Sequence, residues 1–369
     1  MSKSDNKKIQ QTQVMTTIIG SYPKPGYALP SRNPRKLIDD SGRSFYDLKK
    51  KIGTREFNKR LDKACSEAID DQNKADLDIV TDGEERREQY ILYNLRHLKG
   101  INFKDWVEIS VREGVYKRWA PKIDGKIEYN KSWLVDDFKF ASSKTSKIVK
   151  MTIPGPVTAT DVVFDTYYKG NRKKMAFDYA KAVRKEISAL IDAGCKLIQF
   201  DDPVLLRNPE RAKEWGLKAL KECFKGLENK ATFCVHICRG YPNKPLEKKG
   251  VNYKANANYY GQILSFLANS RLDQVSIEGE QSNLDLSVLP AIGKKTIVLG
   301  VLDVGSEKIE SVGHLVKRGQ EALKFIKPAQ LVLAPDCGLL MISRKAAFGK
   351  LKNLAAAAKI LNKGVLKWQ

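Results

Sequence analysis

The sequence predicts a (β/α)8 barrel, an α/β fold in which eight parallel strands alternate with helices. Eight short apolar or β-branched runs recur along the chain, separated by segments long enough for helices. Polar side chains follow the carboxyl ends of these runs, which is where such a barrel carries its chemistry. The alternative is an open doubly wound sheet, but no Gly-x-Gly-x-x-Gly turn follows the first run.

The predicted elements follow from hydrophobic periodicity. The predicted strands span residues 16–21, 77–81, 149–153, 196–200, 232–236, 274–278, 296–301 and 330–334. The predicted helices span residues 173–193, 209–226, 255–269, 312–326 and 343–361. Residues 22–75 and 85–148 are long for simple connections. We therefore expect helical or hairpin elaborations near the N-terminus and between the second and third strands, over one face of the barrel.

The composition indicates one folded domain in a reducing compartment. The six cysteines are spread along the 369 residues without a compact disulfide framework, and residues 1–14 contain no apolar stretch of a secretion signal. No run reaches the roughly 18 apolar residues that cross a bilayer. We expect a cytoplasmic protein that does not enter a membrane, with a flexible polar tail at residues 1–14 and a single catalytic domain at residues 15–369.

The net charge of +23 should attract anions. Short basic segments such as residues 169–174 belong to no nucleic-acid-binding motif, and neither a helix-turn-helix nor a zinc-finger spacing accompanies the charge. We therefore interpret most lysines as dispersed over solvated helix faces and expect no nucleic-acid partner.

Four residues at the ends of three predicted strands form a candidate metal site. These are His236, Cys238, Glu278 and Cys337. One imidazole, two thiols and a carboxylate make a ligand set for a single tetrahedral zinc, and the mixed N, S and O character is more typical of a reactive site than of a structural one. Either cysteine alone would more often be a small buried hydrophobe. The set of four favours zinc.

Seven fragments, in their order and spacing, resemble the C-terminal catalytic half of the cobalamin-independent methionine synthase family, from about residue 16 to about residue 361. The fragments are Ile19-Gly20-Ser21-Tyr22-Pro23, Asp82-Gly83-Glu84, Gly155-Pro156-Val157-Thr158, Gln199-Phe200-Asp201-Asp202-Pro203, His236-Ile237-Cys238, Ile277-Glu278 and Pro335-Asp336-Cys337-Gly338-Leu339.

The resemblance implies both halves of an acceptor site. It implies zinc held by His236, Cys238, Glu278 and Cys337. It also implies an amino-acid thiol such as homocysteine held by the backbone of Ile19, Gly20 and Ser21 and by the carboxylates of Glu84 and Asp201. Zinc would deprotonate that thiol, which is only a few per cent ionised when free at neutral pH.

The resemblance is weaker where the family binds its methyl donor. The family's histidine proton donor follows the seventh strand, and Gly305 stands there in this chain. Asp303 is therefore our candidate for a catalytic residue, with Glu307 as a second source of a proton. A tryptophan that the family places against the folate ring aligns with about Val162. Full-length family members also carry an N-terminal half that helps bind folate, and this sequence contains no counterpart.

Three hypotheses remain open at this point. The first is zinc-dependent methylation of homocysteine to methionine, with a corrinoid protein, a simple folate or a small methylated metabolite as donor rather than a conventionally bound folate polyglutamate. The second is alkylation of another thiol, as in the epoxyalkane:coenzyme M transferases. Glu84 and Asp201 favour a substrate ammonium over a sulfonate. The third is a non-catalytic protein that binds zinc or homocysteine.

Overall fold

Eight parallel strands form the predicted barrel in the computed structural model, which describes residues 8–30, 37, 40–112, 114–241, 249–251 and 254–365. Strands are numbered in chain order, and the barrel strands are β1 (Met15–Thr16), β2 (Ile79–Val80), β5 (Ile148–Pro154), β7 (Leu197–Asp201), β8 (Thr232–Ile237), β9 (Gln274–Ile277), β10 (Thr296–Leu302) and β11 (Leu331–Pro335). They neighbour one another in the order β1-β11-β10-β9-β8-β7-β5-β2. A parallel bridge between Thr17 and Ile79 joins β1 to β2 and closes the ring. The predicted fold class is confirmed.

The first strand is much shorter than the predicted 16–21. Its continuation gives its carbonyl groups to side chains instead of to a neighbouring strand. Lys150 Nζ donates to the carbonyl of Ile18 at 2.5 Å, Gln199 Nε2 to that of Ile19 at 3.0 Å, and Thr81 Oγ1 to that of Gly20 at 2.7 Å. The ladder therefore stops early, and the backbone after it is held in the mouth of the barrel.

Helices cover the outside of the barrel, and each predicted helix overlaps an observed one. The helices of the described residues are α1 (Arg43–Ile52), α2 (Thr54–Lys74), α3 (Tyr90–Leu95), α4 (Val135–Ser142), α5 (Pro156–Thr160), α6 (Arg172–Asp192), α7 (Val204–Arg207), α8 (Pro209–Arg211), α9 (Leu217–Glu222), α10 (Tyr260–Ala268), α11 (Val312–Leu323) and α12 (Arg344–Val365). The predicted helix 209–226 passes through a π-helical turn, Ala212–Gly216, between α8 and α9. None of these described helices has the length and apolar character of a membrane span.

The predicted elaborations take the expected forms. The helices α1 and α2 precede β2, and a long antiparallel hairpin of β3 (Lys99–Val111) and β4 (Tyr116–Glu128) lies between β2 and β5. The two-residue strand β6 (Phe164–Asp165) extends this hairpin into a three-stranded sheet. The hairpin brings Arg112 to the rim of the cavity described below.

The N-terminal segment differs in part from the predicted tail. Residues 1–7 lie outside the described residues, but residues 8–14 pack along the barrel. Ile9 donates its N–H to Thr232 Oγ1 at 2.9 Å, and Gln11 Nε2 donates to the carbonyl of Leu331 at 2.7 Å. Ile9 also packs against the apolar cluster that includes Ile79, Leu197 and Val298. Covering that apolar surface is the physical reason for the order of this segment.

Candidate metal and thiol site

Three of the four candidate metal ligands come together at the mouth of the barrel. His236 lies near the end of β8, Cys238 follows that strand, and Cys337 follows β11. One imidazole nitrogen and the two sulfur atoms lie within 4.8 Å of one another, all buried. The two sulfur atoms are 3.5 Å apart. This is an N, S, S set of the kind that zinc and other soft or borderline metals prefer.

The His236 ring is held in the orientation of a metal ligand. Its Nδ1 shares a hydrogen bond of 2.8 Å with Ser276 Oγ, from the adjacent strand β9. Its Nε2 is buried and has no hydrogen-bond partner among the residues that the structure describes. A buried polar atom without a partner costs free energy, and metal-binding histidines commonly fix their second nitrogen in this way. The residues therefore fit a metal ion.

The two thiols are electrostatically unequal. A hydrogen bond from Cys337 lowers the pKa of Cys238, with His236 adding to the effect, and the same hydrogen bond raises the pKa of Cys337. The pair therefore behaves as a thiolate that accepts a hydrogen bond from a thiol. One sulfur is already close to the ionised form that a metal requires.

Glu278, the fourth predicted ligand, is not part of this cluster. Its carboxylate Oε1 lies 3.2 Å from Lys254 Nζ, and its Oε2 accepts the N–H of Arg239 at 3.1 Å. Burial raises the pKa of Glu278, while Lys254 lowers it. In this structure the carboxylate of Glu278 pairs with Lys254. Metal ligation by Glu278 therefore stays a prediction.

Asp336 organises the loop that follows Glu278. Its two carboxylate oxygens accept backbone N–H groups from Gly279, Glu280 and Gln281 at 3.0, 2.9 and 2.6 Å. Burial, together with the charge of Glu278, raises the pKa of Asp336 to about 8. Asp336 therefore links the end of β11, which carries Cys337, to the loop after β9.

Glu84 lies over the backbone of Gly20 in the same cavity. Its Oε1 accepts a hydrogen bond from Thr152 Oγ1 at 2.7 Å. A β-carbon at position 20 would lie 2.6 Å from that oxygen, so the glycine leaves room for the carboxylate in this position. Glu84 itself has φ +54°, a left-handed conformation stabilised by a 3.0 Å hydrogen bond from its N–H to Asp82 Oδ1.

Asp201 is a second buried carboxylate of the cavity, at the end of β7. Burial raises its pKa to about 7. Gln199 Nε2 donates to Asp201 Oδ1 at 2.8 Å, and Lys150 Nζ donates to Gln199 Oε1 at 2.7 Å. Lys150 and Gln199 thus form a hydrogen-bonded chain beneath Asp201, inside the barrel. A carboxylate buried in this way would be stabilised by a cation from a ligand.

All five residues predicted to bind substrate line one cavity of about 480 Å³ together with the three clustered ligands. Its lining comprises Ile19, Gly20, Ser21, Glu84, Tyr90, Arg112, Asp201, Pro203, His236, Cys238, Gly240, Tyr241, Cys337 and Gly338.

The sequence interpretation missed several residues of this site. Ser276 lies two positions before Glu278, and Gln199 lies two before Asp201, so the period of a strand could have placed both inside the barrel. Tyr90 and Arg112 come from the elaborations, where no periodicity pointed to the cavity. Tyr241, whose hydroxyl lies 2.8 Å from Ser21 Oγ, comes from a loop.

The residues proposed for proton transfer lie elsewhere. Of the described residues that line the cavity, none is Asp303, Glu307 or Val162. Asp303 Oδ1 accepts the N–H of Gly305 at 2.7 Å, and Glu307 accepts hydrogen bonds from the backbone and hydroxyl of Ser343. Asp303 stabilises a local turn and Glu307 holds Ser343, just before α12, so a catalytic role for Asp303 stays a prediction.

Comparison with known proteins identifies the family. The family model for the catalytic domain of cobalamin-independent synthases matches residues 14–360. The chain belongs to the cobalamin-independent methionine synthase family. Among its relatives are the methionine synthases of Saccharolobus solfataricus, 32% identical with 94% of each chain covered, and of Thermococcus kodakarensis, 29% identical with 94% of this chain and 93% of the relative covered.

A solved structure supports both the family and the fold. A B12-independent methionine synthase from Shewanella sp. W3-18-1, in complex with selenomethionine, matches with a TM-score of 0.85 at 29% identity, and the match covers 96% of this chain and 100% of that one. The family inferred from the motifs is confirmed. This member is therefore an enzyme of the methyltransferase class, from a family that is generally zinc-dependent.

Proposed function

We propose that this protein transfers a methyl group to the thiol of homocysteine, with zinc held by His236, Cys238 and Cys337 and with Glu278 as the fourth ligand. The observation that carries the proposal is that a cluster of metal ligands and two buried carboxylates line the same cavity. The curated relatives are methionine synthases of similar length.

Glu84 and Asp201 are the residues that would select an amino acid. Their buried carboxylates complement a substrate ammonium, and charge-assisted hydrogen bonds of this kind are among the strongest in proteins. A sulfonate-bearing thiol such as coenzyme M would instead meet two negative charges. Homocysteine is therefore favoured as the acceptor over the coenzyme M of the second hypothesis. The position of its ammonium would direct its sulfur to the cluster.

Zinc, when bound, supplies the acidity that converts the substrate thiol to a thiolate at neutral pH. The protein contributes the rest: Ser276 fixes the His236 ring, the paired cysteines present sulfur ligands, and the carboxylates orient the amino acid. The thiolate sulfur then forms a bond to the methyl carbon while the bond between that carbon and the donor breaks. The bonding electrons leave with the donor, and the thiol proton is released.

The proposed donor is a methyl-corrinoid rather than methyltetrahydrofolate. A departing folate nitrogen needs a proton, and general acid catalysis typically contributes about 10²- to 10⁴-fold. Gly305 cannot supply that proton, the carboxylate of Asp303 is engaged in a local turn, and that of Glu307 is hydrogen-bonded to Ser343. A corrinoid leaves as a reduced metal complex and needs no acid. Corrinoid here is a substrate.

A comparison of donors tests the proposal. Methionine formation from homocysteine is measured with methylcobalamin and with methyltetrahydrofolate at matched concentrations, and Cys238→Ser serves as the inactive control. We expect faster turnover with methylcobalamin. Equal or faster turnover with the folate would show that another residue, such as Asp303 or Glu307, supplies the proton. Binding of homocysteine without product from any donor would favour a non-catalytic binding protein. Faster alkylation of coenzyme M than of homocysteine would favour the hypothesis that another thiol is the acceptor.

A further inference from the structure

We propose that Arg87 is a positioning residue for the amino-acid substrate. Through Thr152 it holds one oxygen of the Glu84 carboxylate and leaves the other oxygen for the substrate ammonium. The contacts among these three side chains are features of the structure. The identification of the ligand as an ammonium rests on the function proposed above.

Arg87 is a buried cation that is held on several sides. Its side chain is 1% exposed, and its Nη1 donates to the carbonyl and to the hydroxyl oxygen of Thr152 at 2.9 and 2.8 Å. Its Nη2 lies 3.8 Å from Asp82 Oδ2, and its guanidinium carbon lies 6.0 Å from the centre of the Tyr93 ring. Because the guanidinium is a rigid planar fork, contacts on several sides fix its orientation as well as its position.

The hydroxyl group of Thr152 transmits this orientation to Glu84. A hydroxyl has one proton to donate. Since Thr152 Oγ1 accepts a hydrogen bond from Arg87, its own proton is left for Glu84 Oε1, which lies 2.7 Å away. Arg87 Nη1 also lies 3.4 Å from the same carboxylate oxygen. Both groups therefore act on Oε1.

The second oxygen of Glu84 is left for a ligand. Among the residues that the structure describes, none forms a hydrogen bond with Glu84 Oε2. Glu84 lines the cavity that also contains the metal-ligand cluster. An ammonium in that cavity would form a charge-assisted hydrogen bond with this oxygen, and the fixed position of Oε1 would determine where the ammonium lies.

Asp201 has a similar arrangement. Gln199 donates to one oxygen of Asp201, and Lys150 donates to Gln199. Lys150 and Thr152 are two residues apart on β5 and therefore point to the same face of that strand. In each case a buried cation orients a neutral side chain, which then donates to one carboxylate oxygen. A cation paired with both oxygens would compete with the substrate ammonium, whereas a neutral donor leaves the carboxylate able to bind it.

The test compares two thiols that differ in the ammonium alone. Titration calorimetry on the zinc-loaded enzyme measures the affinities for homocysteine and for 4-mercaptobutanoate, which is homocysteine without its amino group. Thr152→Val keeps the shape of the side chain and removes its hydroxyl. It should weaken homocysteine binding about tenfold, as expected when a hydrogen bond to a charged group is lost, and should leave the affinity for 4-mercaptobutanoate unchanged.

Further variants separate positioning from packing. Arg87→Met should show the same selective loss, and Thr152→Val serves alone if Arg87→Met does not fold. Thr152→Ser restores the hydroxyl and should bind homocysteine nearly as the wild type does. In a Glu84→Gln background, Thr152→Val should cause no further selective loss, because the carboxylate through which Thr152 acts is absent.

Thr160→Val is the matched control. It removes a buried hydroxyl that donates to the carbonyls of Pro156 and Val157, and Thr160 is not among the described residues that line the cavity. Both affinities should stay at their wild-type values in this variant.

The possible outcomes distinguish this inference from the proposed function. An equal loss of affinity for both thiols in Thr152→Val would indicate a structural role alone and would overturn the inference, as would an unchanged preference for homocysteine. Equal binding of the two thiols by the wild type would contradict ammonium recognition, and with it both the inference and the proposed acceptor. No methionine from the wild type with any donor, together with the selective losses, would contradict methyl transfer and leave the positioning role supported.

Discussion

Cys238 and Cys337 show how the meaning of a residue depends on its neighbours. All six cysteines are buried and free, and burial is the largest influence on the thiols of Cys65, Cys195 and Cys234, whose pKa values it raises. Cys238 differs because a second thiol and an imidazole lie beside it, and its pKa is lowered despite burial. The same residue type is thus an inert part of the core at one position and a candidate ligand at another.

Serine at position 238 or 337 should remove tight zinc binding. The purified wild type should retain about one zinc per chain after dialysis against a mild chelator, and either variant should retain little, because a neutral hydroxyl is a poor replacement for a thiolate. Cys65→Ser, a buried cysteine in α2, is the matched control and should keep its zinc. Metal analysis that found zinc retained in Cys238→Ser/Cys337→Ser would contradict the site.

Ligand binding should depend on the ionisation of Asp201. Burial raises its pKa to about 7, so the carboxylate is largely neutral below that pH and cannot pair with an ammonium. The affinity for methionine, which has the ammonium but no thiol, should therefore increase as the pH rises through about 7, and Asp201→Asn should bind weakly without this dependence. The stability of the fold should change with pH in the opposite direction to the affinity. A carboxyl whose pKa is raised by folding contributes stability that is lost as the pH rises between its unfolded and folded pKa values. Titration calorimetry with methionine across this pH range measures the affinity. A wild-type affinity that did not change with pH would argue against Asp201 as the partner of the ammonium.

Lys150 is a positioning residue in this interpretation. It is 2% exposed, burial lowers its pKa to about 8, and it orients Gln199 beneath Asp201. Lys150→Met should weaken methionine and homocysteine binding about tenfold, since hydrogen bonds to charged groups contribute about 1.5–3 kcal/mol. It should also move the pH midpoint upward, because the Lys150 charge lowers the pKa of Asp201. Lys147→Met, which breaks a peripheral ion pair with Asp76, is the control. If the pH midpoint of ligand binding did not change in Lys150→Met, Lys150 would contribute to packing alone.

At the scale of elements, a single carboxylate joins β7 to α5. Asp202 Oδ1 accepts the N–H and the hydroxyl of Thr158 at 2.8 and 2.6 Å, and Oδ2 accepts the N–H of Val157 at 3.3 Å. These donors belong to the first turn of α5, which has no cap from its own preceding residue, Gly155. A side chain at position 155 would collide with Asp202. Glycine at position 155 therefore leaves room for Asp202, which follows β7, to cap the N-terminus of α5.

Removing this cap should destabilise the fold without touching the metal ligands. Asp202→Ala leaves buried donors unpaired, at a cost of about 1–3 kcal/mol in the free energy of unfolding. Asp202→Asn retains an acceptor oxygen and should lose less. Urea denaturation measures the difference, and Asp285→Ala, which removes an exposed cap on Ser287, is the control with a smaller expected loss. Equal stability of Asp202→Ala and the wild type would show that the loop reorganises to satisfy these donors.

At the scale of the whole molecule, the barrel depends on residues outside its strands. β1 and β2 have two residues each, and Asp78 Oδ2 supplements their pairing by accepting hydrogen bonds from the N–H and hydroxyl of Thr16, both at 2.7 Å. Residues 8–14 pack along the barrel next to the apolar cluster that contains Ile79.

This packing predicts that a charge at position 9 destabilises the protein. Ile9→Asp places a carboxylate against the apolar cluster and should lower the midpoint of thermal unfolding by several degrees, as expected for a loss on the order of 1–3 kcal/mol. Thr12→Asp introduces the same charge at an exposed position of the segment and should change the midpoint little. Differential scanning calorimetry compares the two variants. A midpoint equal to that of the wild type would show that the segment contributes nothing to the stability of the barrel.

The sequence by itself determined the barrel, because the alternation of strands and helices repeats along the chain and each strand carries its own apolar signal. It also indicated the family, through motifs that match in order and spacing, and it predicted residues that line one cavity, because each lies near a strand end and strand ends converge in this fold. The tertiary structure alone decided how those residues interact. It paired the carboxylate of Glu278 with Lys254, linked Lys150 to Asp201 through Gln199, and brought Arg112 from a hairpin to the cavity. These relations join residues distant in sequence, and neither periodicity nor local spacing encodes such contacts.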